Sequence, residues 1–252
     1  WPALNGAVGM TYEQASARGR QIERPDGHVL TLEEAVQHHF VTGVTTAVTA
    51  ARNRRKLLQD FQRHFRDGMD QGGKGAVREY ILPLDPESRV NLDLAAVLQQ
   101  AGIEIRQAQE PFSNRRLTTF RGQPVQRKTF DNGTLIIPTN QPRYILLKAL
   151  FEPHTPMDEA FVKEEIERHK ERLPNRIYDV TAWSLPFAYD ARVYVAGEPS
   201  KVKTGSFDAV RGLSGYSRIA GVTENVYAYL IPYASHHALA ALAHLWREKV
   251  KV

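Results

Sequence analysis

Apolar residues recur through the first third of the chain at helical spacing. Leu32, Val36, Phe40, Val44, Ala47, Val48 and Ala51 fall on one stripe of a 3.6-residue period. Thr31, with Glu34 three residues later, has the form of a capping box and predicts where that helix starts. Leu58, Phe61 and Phe65 extend the pattern into a second helix, after a break near Asn53. Upstream, "GMTYEQASARG" (residues 9–19) reads as a short, largely buried strand that ends on Glu13, with Arg18 and Arg20 behind it. Arg24-Pro25-Asp26-Gly27 is a turn.

A different rhythm follows the glycine-rich stretch "DGMDQGGKGA" (67–76), which has the composition of a linker. The expected organisation is therefore a first segment over 1–70, a linker over 71–76 and a second domain over 77–252. "VREYILPL" (77–84) predicts a buried strand, and "VNLDLAAVLQQAG" (90–102) a helix stopped by Gly102. "IEIRQA" predicts a second strand, and "NGTLIIP" (132–138) a turn leading into a strand. Pro142 suits the first turn of a helix reaching Leu150, and 157–174 is a charged amphipathic helix stopped by Pro174. Strands alternating with helices predict an α/β class, with a mostly parallel sheet layered with helices.

Two stretches resemble each other, 77–105 and 226–252. Val77 matches Val226, Tyr80 matches Tyr229 and Pro83 matches Pro232. With two residues skipped, Leu92, Ala96 and Leu98 match Leu239, Ala243 and Leu245. Both copies read strand, loop, helix, strand, and the second stops as its last strand begins. With a start at Trp1-Pro2-Ala3, the chain reads as cut at both ends. A truncated sheet edge at the second copy predicts self-association.

Composition narrows the classes. The chain has 252 residues, 42% hydrophobic and 24% charged, with no cysteine and a net charge of +5. No apolar run approaches a membrane span of roughly 18 residues. The missing cysteine excludes disulfides, thiol nucleophiles and thiolate zinc sites. The densest basic cluster, Arg52, Arg54, Arg55 and Lys56, reads as a solvated helix face, with a surface for an anionic partner as the alternative, and no aromatic-and-basic nucleic-acid module is recognisable.

Most familiar catalytic patterns are missing. There is no His-x-x-Glu and no His-Glu-x-x-His. The adjacent pairs His38-His39 and His236-His237 diverge by about 100° on a helix, a poor arrangement for one metal. "GLSGYS" (212–217) lacks the spacing of a nucleophile elbow, and "GGKG" (72–75) lacks that of a phosphate loop. "YDVTAWSLPFAYD" (178–190) is the richest remaining segment. Asp179, Trp183 and Tyr189 either line a binding pocket or form a buried aromatic pair with Asp179 capping a turn.

"NGAVGMTYEQASARG", followed by "TLEEAVQHH" and a long helix, resembles the C-terminal end of the catalytic domain of bacterial zinc carboxypeptidases of the carboxypeptidase A type. "GTLIIP", "NRIYDVTAWSLPF" and "YAYLIP" resemble the class I glutamine-amidotransferase-like domain that follows the peptidase domain in one bacterial branch. The resemblance implies a flavodoxin-like, amidotransferase-like fold for 77–252, preceded by a strand-plus-long-helix remnant of the peptidase domain. It implies that Glu13 is the general base of the parent enzyme, acting on a C-terminal peptide bond of a peptide substrate. It implies zinc in the parent and a periplasmic or secreted location. The family's zinc ligands lie upstream of that glutamate, so no cofactor and no activity are expected of this chain alone. Amidotransferase chemistry is not implied, because its nucleophile is a cysteine. The competing reading is a non-catalytic α/β module for binding or scaffolding, without nucleic-acid partners or membrane insertion.

Overall fold

The computed structural model describes residues 1–13, 17, 19–85, 88–154, 156–176, 184–209, 227–228, 230–231 and 236–252. The chain divides into two compact units, Trp1–Asp67 and Gly68–Val252.

In the first unit, β1 (Gln21–Glu23) and β2 (Val29–Thr31) form an antiparallel ribbon. Helix α1 (Leu32–Arg52) starts directly from β2. Thr31 caps it as expected, its hydroxyl accepting from the Glu34 N–H at 3.2 Å. The Glu34 carboxylate does not close the box; it meets His28 Nε2 at 3.1 Å instead. The break near Asn53 is present, and α2 (Arg54–Lys74) follows it. The strand expected at residues 9–12 is absent. Met10 is exposed, and the segment joins no ladder among the described residues. Its alternation of small and large residues resembles a buried strand only locally.

The expected linker is also corrected. Residues 71–74 are the last turn of α2, in which Gly68 and Gly72 are buried. These glycines allow close packing rather than flexibility.

The second unit is a mixed α/β structure built on a seven-stranded sheet. Its strands are β3 (Glu79–Leu82), β4 (Arg106–Ala108), β6 (Leu117–Thr119), β7 (Pro124–Val125), β9 (Leu135–Pro138), β10 (Tyr194–Ala196) and β11 (Thr204–Ser206). The order is β11-β4-β9-β3-β10-β6-β7, and every pairing is antiparallel. The expectation of a mostly parallel sheet finds no support among the described strands. The physical reason is an inserted strand. Helix α3 (Val90–Gln100) does connect β3 to β4, and those two strands run in the same direction. However, β9 lies between them and opposes both. The strand–helix–strand unit predicted from sequence is thus present but split.

Strand β5 (Phe112–Asn114) pairs with β8 (Lys128–Phe130) in a separate ribbon. Phe112 and Phe130 stack at 5.2 Å and pack with Ile81, Leu117, Ile136 and Ala196. On the alternate side of β3, Tyr80 meets Phe151 at 4.5 Å, just past α4 (Tyr144–Leu150). All four β3 residues are buried, so this strand is covered on both faces. Asn91 ties the end of β3 to the approach to β10. Its amide donates to Pro83 O at 2.7 Å and Arg192 O at 2.9 Å, and its Oδ1 accepts from Arg192 N at 3.1 Å.

Helix α5 (Glu159–Lys170) is capped by Asp158, which accepts from Phe161 N at 3.0 Å. Two shorter or later helices complete the described set, α6 (Leu185–Ala188) and α7 (His236–Arg247). Helix α7 stands where the repeat predicts one, but its environment differs. Leu92, Ala96 and Leu98 are buried, whereas Leu239 and Ala243 are exposed. Residues 250–252 form no strand. Val226, Tyr229 and Pro232, on which the first strand of the second copy rests, lie outside the described residues.

Candidate functional site

Glu13 is exposed, and it makes no hydrogen bond or ion pair among the described residues. The residue before it is anchored: the Tyr12 hydroxyl bonds Thr46 Oγ1 on the half-buried side of α1. The carboxylate thus follows a tethered residue and faces solvent. Asp179 and Trp183 lie outside the described residues. Tyr189, their expected neighbour, is half-buried at the end of α6. The adjoining Ser184 is buried, and its Oγ finds no partner among the described residues.

Metal-ligating side chains do not converge. Among the described residues no three of His, Asp or Glu stand close enough to hold an ion. His38 and His39 are exposed on α1. His237 meets the Asp93 carboxylate at 2.9 Å, and His64 packs edge-on against Phe65 at 5.2 Å. The described residues do not fit a zinc centre. Arg52, Arg54, Arg55 and Lys56 of the basic cluster are exposed. Lys56 and Arg63 share Asp60 at 2.6 and 3.2 Å.

A buried polar constellation in the second unit escapes sequence reasoning. Glu79 lies within β3, only 5% exposed. Its Oε1 accepts from the Ser200 N–H at 2.9 Å and also from the Ser200 hydroxyl. Asn114 Nδ2 donates to Ser200 Oγ and to Glu198 O, both at 3.1 Å. Burial pushes the Glu79 carboxyl above the ordinary glutamate range, while the Ser200 donors and the positive charge of Arg106 pull it down. A serine beside a carboxylate invites a nucleophilic reading. The geometry opposes it, because among the described residues no histidine bonds the hydroxyl to relay its proton, and the hydroxyl is already clamped between Glu79 and Asn114. The constellation instead fastens the β10–β11 connection to the sheet. The clue in the sequence is a glutamate inside the apolar run "EYILPL", since a carboxylate in a buried strand requires partners.

One open groove, of about 550 Å³, runs beside the C-terminal end of α3 and the edge strand β11. Gln99, Glu104, Arg106, Thr204 and Ser206 line it. Gln99 also holds the chain beyond β11, donating to Phe207 O at 2.7 Å and accepting from Ala209 N at 2.9 Å. The groove carries both charge signs and no nucleophile–base pair. Among the described residues no helix is long and apolar enough to cross a membrane.

Comparison with protein-family models, with curated proteins and with solved structures finds no match to this chain.

Proposed function

We propose that this chain is the C-terminal part of a zinc carboxypeptidase-like protein, in which Glu13 is the general base for hydrolysis of C-terminal peptide bonds. The supporting observation is the placement of Glu13 as an exposed carboxylate one residue beyond the Tyr12–Thr46 tether. A base needs a carboxylate that is reachable yet held in position. In this role Glu13 takes a proton from the water that attacks the scissile carbonyl carbon. It returns that proton to the amine as the carbon–nitrogen bond breaks. Zinc would supply Lewis-acid polarisation in the parent, but the described residues do not provide its ligands.

Residues 77–252 serve as an accessory α/β domain in this reading. Its amidotransferase-like, flavodoxin-like assignment rests on the quoted strings, and the antiparallel pairing of the described strands counts against it. The α3–β11 groove favours a second reading, in which this domain binds a polar ligand without catalysis. By the same resemblance the parent works in the periplasm or outside the cell.

The test is Glu13→Gln in the parent enzyme, assayed by release of C-terminal residues from peptides. Turnover falls by roughly 100- to 10,000-fold, with the thermal transition unchanged. Near-normal turnover would reduce Glu13 to a surface carboxylate, and a parent that releases no C-terminal residues would remove the hydrolase reading.

A further inference from the structure

Helix α1 presents its apolar stripe to water. No residue of this 21-residue helix is buried. Its half-buried positions are small or polar, Glu34, Ala35, Thr42 and Thr46, and Thr46 is the one bonded to Tyr12. On the other side, Val36 is 60% exposed, Phe40 65% and Val44 46%. Gly43, Ala47 and Ala51 are exposed on the same stripe. The helix is about 31 Å long, so this is an extended apolar surface rather than one stray side chain.

We propose that this face pairs with the same face of a second copy of the chain, the two α1 helices running antiparallel about a twofold axis between Gly43 and Val44. Side-chain size fits that axis. It sets Phe40 of one copy over Ala47 of the other, Val36 over Ala51 and Val44 over Gly43, each large residue against a small one. Close-packed helices interdigitate in this way. Charge fits it too. Glu33 of one copy comes beside Arg54 of the other, twice by symmetry. Arg54 is already held at the end of α1, its Nη1 donating to Ala51 O at 3.2 Å. Antiparallel packing also opposes the two helix dipoles favourably. A parallel pair would stack Phe40 on Phe40 and gather both copies' Glu33 and Glu34 at one end. The surface lies away from the Tyr12–Thr46 tether.

The test is sedimentation velocity on the full chain from about 1 to about 200 µM. A single helix pair buries less than a standard interface, so a dissociation constant on the order of 10 µM is expected. Phe40→Glu raises it at least about tenfold. Glu33→Arg weakens the dimer a few-fold, and adding Arg54→Glu in the same chain restores it. The chain has no cysteine, so Val44→Cys provides a single thiol beside the axis, and mild oxidation yields a disulfide-linked dimer. A chain that stays monomeric at the highest concentration overturns the proposal, as does a dimer indifferent to Phe40→Glu. Failure of Val44→Cys to cross-link within a dimer rules out this axis.

Discussion

The hydroxyl of Thr139 points at the carbonyl oxygen of Gly72 across 2.9 Å. It also lies 3.0 Å from Val77 O and 2.9 Å from Arg78 O, so its single proton serves three carbonyls in turn. Thr139 is fully buried. This contact brings the last turn of α2 against the chain leaving β9, and it is possible only because residue 72 has no side chain. A Cβ there would lie 2.0 Å from Thr139 O and 2.9 Å from a Tyr144 ring carbon.

Gly72→Ala therefore forces backbone apart, despite the roughly 1 kcal/mol by which alanine favours a helix. Overpacking of this kind costs about 1–3 kcal/mol, and the Thr139 bonds weaken with it. The expected net loss is about 2 kcal/mol, read from urea unfolding. The neighbouring Gly73→Ala is the control. Its Cβ would meet only Asn140 side-chain atoms at 3.5–3.7 Å, so it gains a few tenths of a kcal/mol or more from propensity. Equal effects of the two substitutions would show that the close approach is not what Gly72 provides.

Glycine content alone could not reveal this. The stretch 67–76 is rich in glycine both for a linker and for a helix pressed against a neighbour, and only the partner distinguishes them. Sheet direction was hidden for a similar reason. The run "EYIL" is legible as a buried strand, and Gly102, with φ +79°, is legible as the stop of α3. That β9 enters between β3 and β4 depends on pairing between distant segments, which no local pattern encodes. Periodicity located the α1 stripe correctly, but it says nothing about what covers a stripe, and here Val36 and Phe40 face water. At the candidate site, the proposal for Glu13 rests on its neighbouring string. Ser200 and Asn114 were not found, because Ser200 meets Glu79 from 121 residues away and Asn114 meets Ser200 from 86 residues away.

Gln141 replaces a missing rung of backbone pairing. It is fully buried. Its Oε1 accepts from Glu104 N at 2.8 Å, and its Nε2 donates to Glu104 O at 3.2 Å and Pro138 O at 2.6 Å. Truncation to alanine strands three backbone groups, each worth about 1–3 kcal/mol when buried without a partner. These costs do not add fully, so Gln141→Ala is expected to lose about 3 kcal/mol. Gln141→Glu loses both donors and aims a carboxylate at two carbonyls, and it is at least as damaging at neutral pH. Its stability should recover partly in acid, where the carboxyl regains a proton to donate. A Gln141→Glu chain as stable as the parent at pH 7 would contradict the assigned bonds.

Glu79 gives the molecule a pH signature whose sign follows from its burial. The folded state raises its pKa above the ordinary glutamate value, chiefly by desolvation, against the opposing pull of Ser200 and Arg106. The proton is then held more tightly in the folded chain than in the unfolded one. As pH rises from the ordinary value through the raised one, the unfolded chain loses its proton first, and stability falls across that window. Below the window the carboxyl is neutral in both states and carries no penalty; above it the penalty stays constant. Glu79→Gln keeps an oxygen for the Ser200 N–H, which now donates to Glu79 at 2.9 Å, but it cannot ionise. The urea midpoint of the variant should therefore gain on that of the parent as pH rises from acid to neutral, and the gap should then level off. Ser200→Ala should do the reverse. It removes one of the two donors that help the carboxylate, so the parent's fall with pH becomes steeper. Midpoints of parent and Glu79→Gln that run parallel from acid to neutral pH would mean that Glu79 ionises without cost, and that the Ser200 and Arg106 contributions match the burial they oppose.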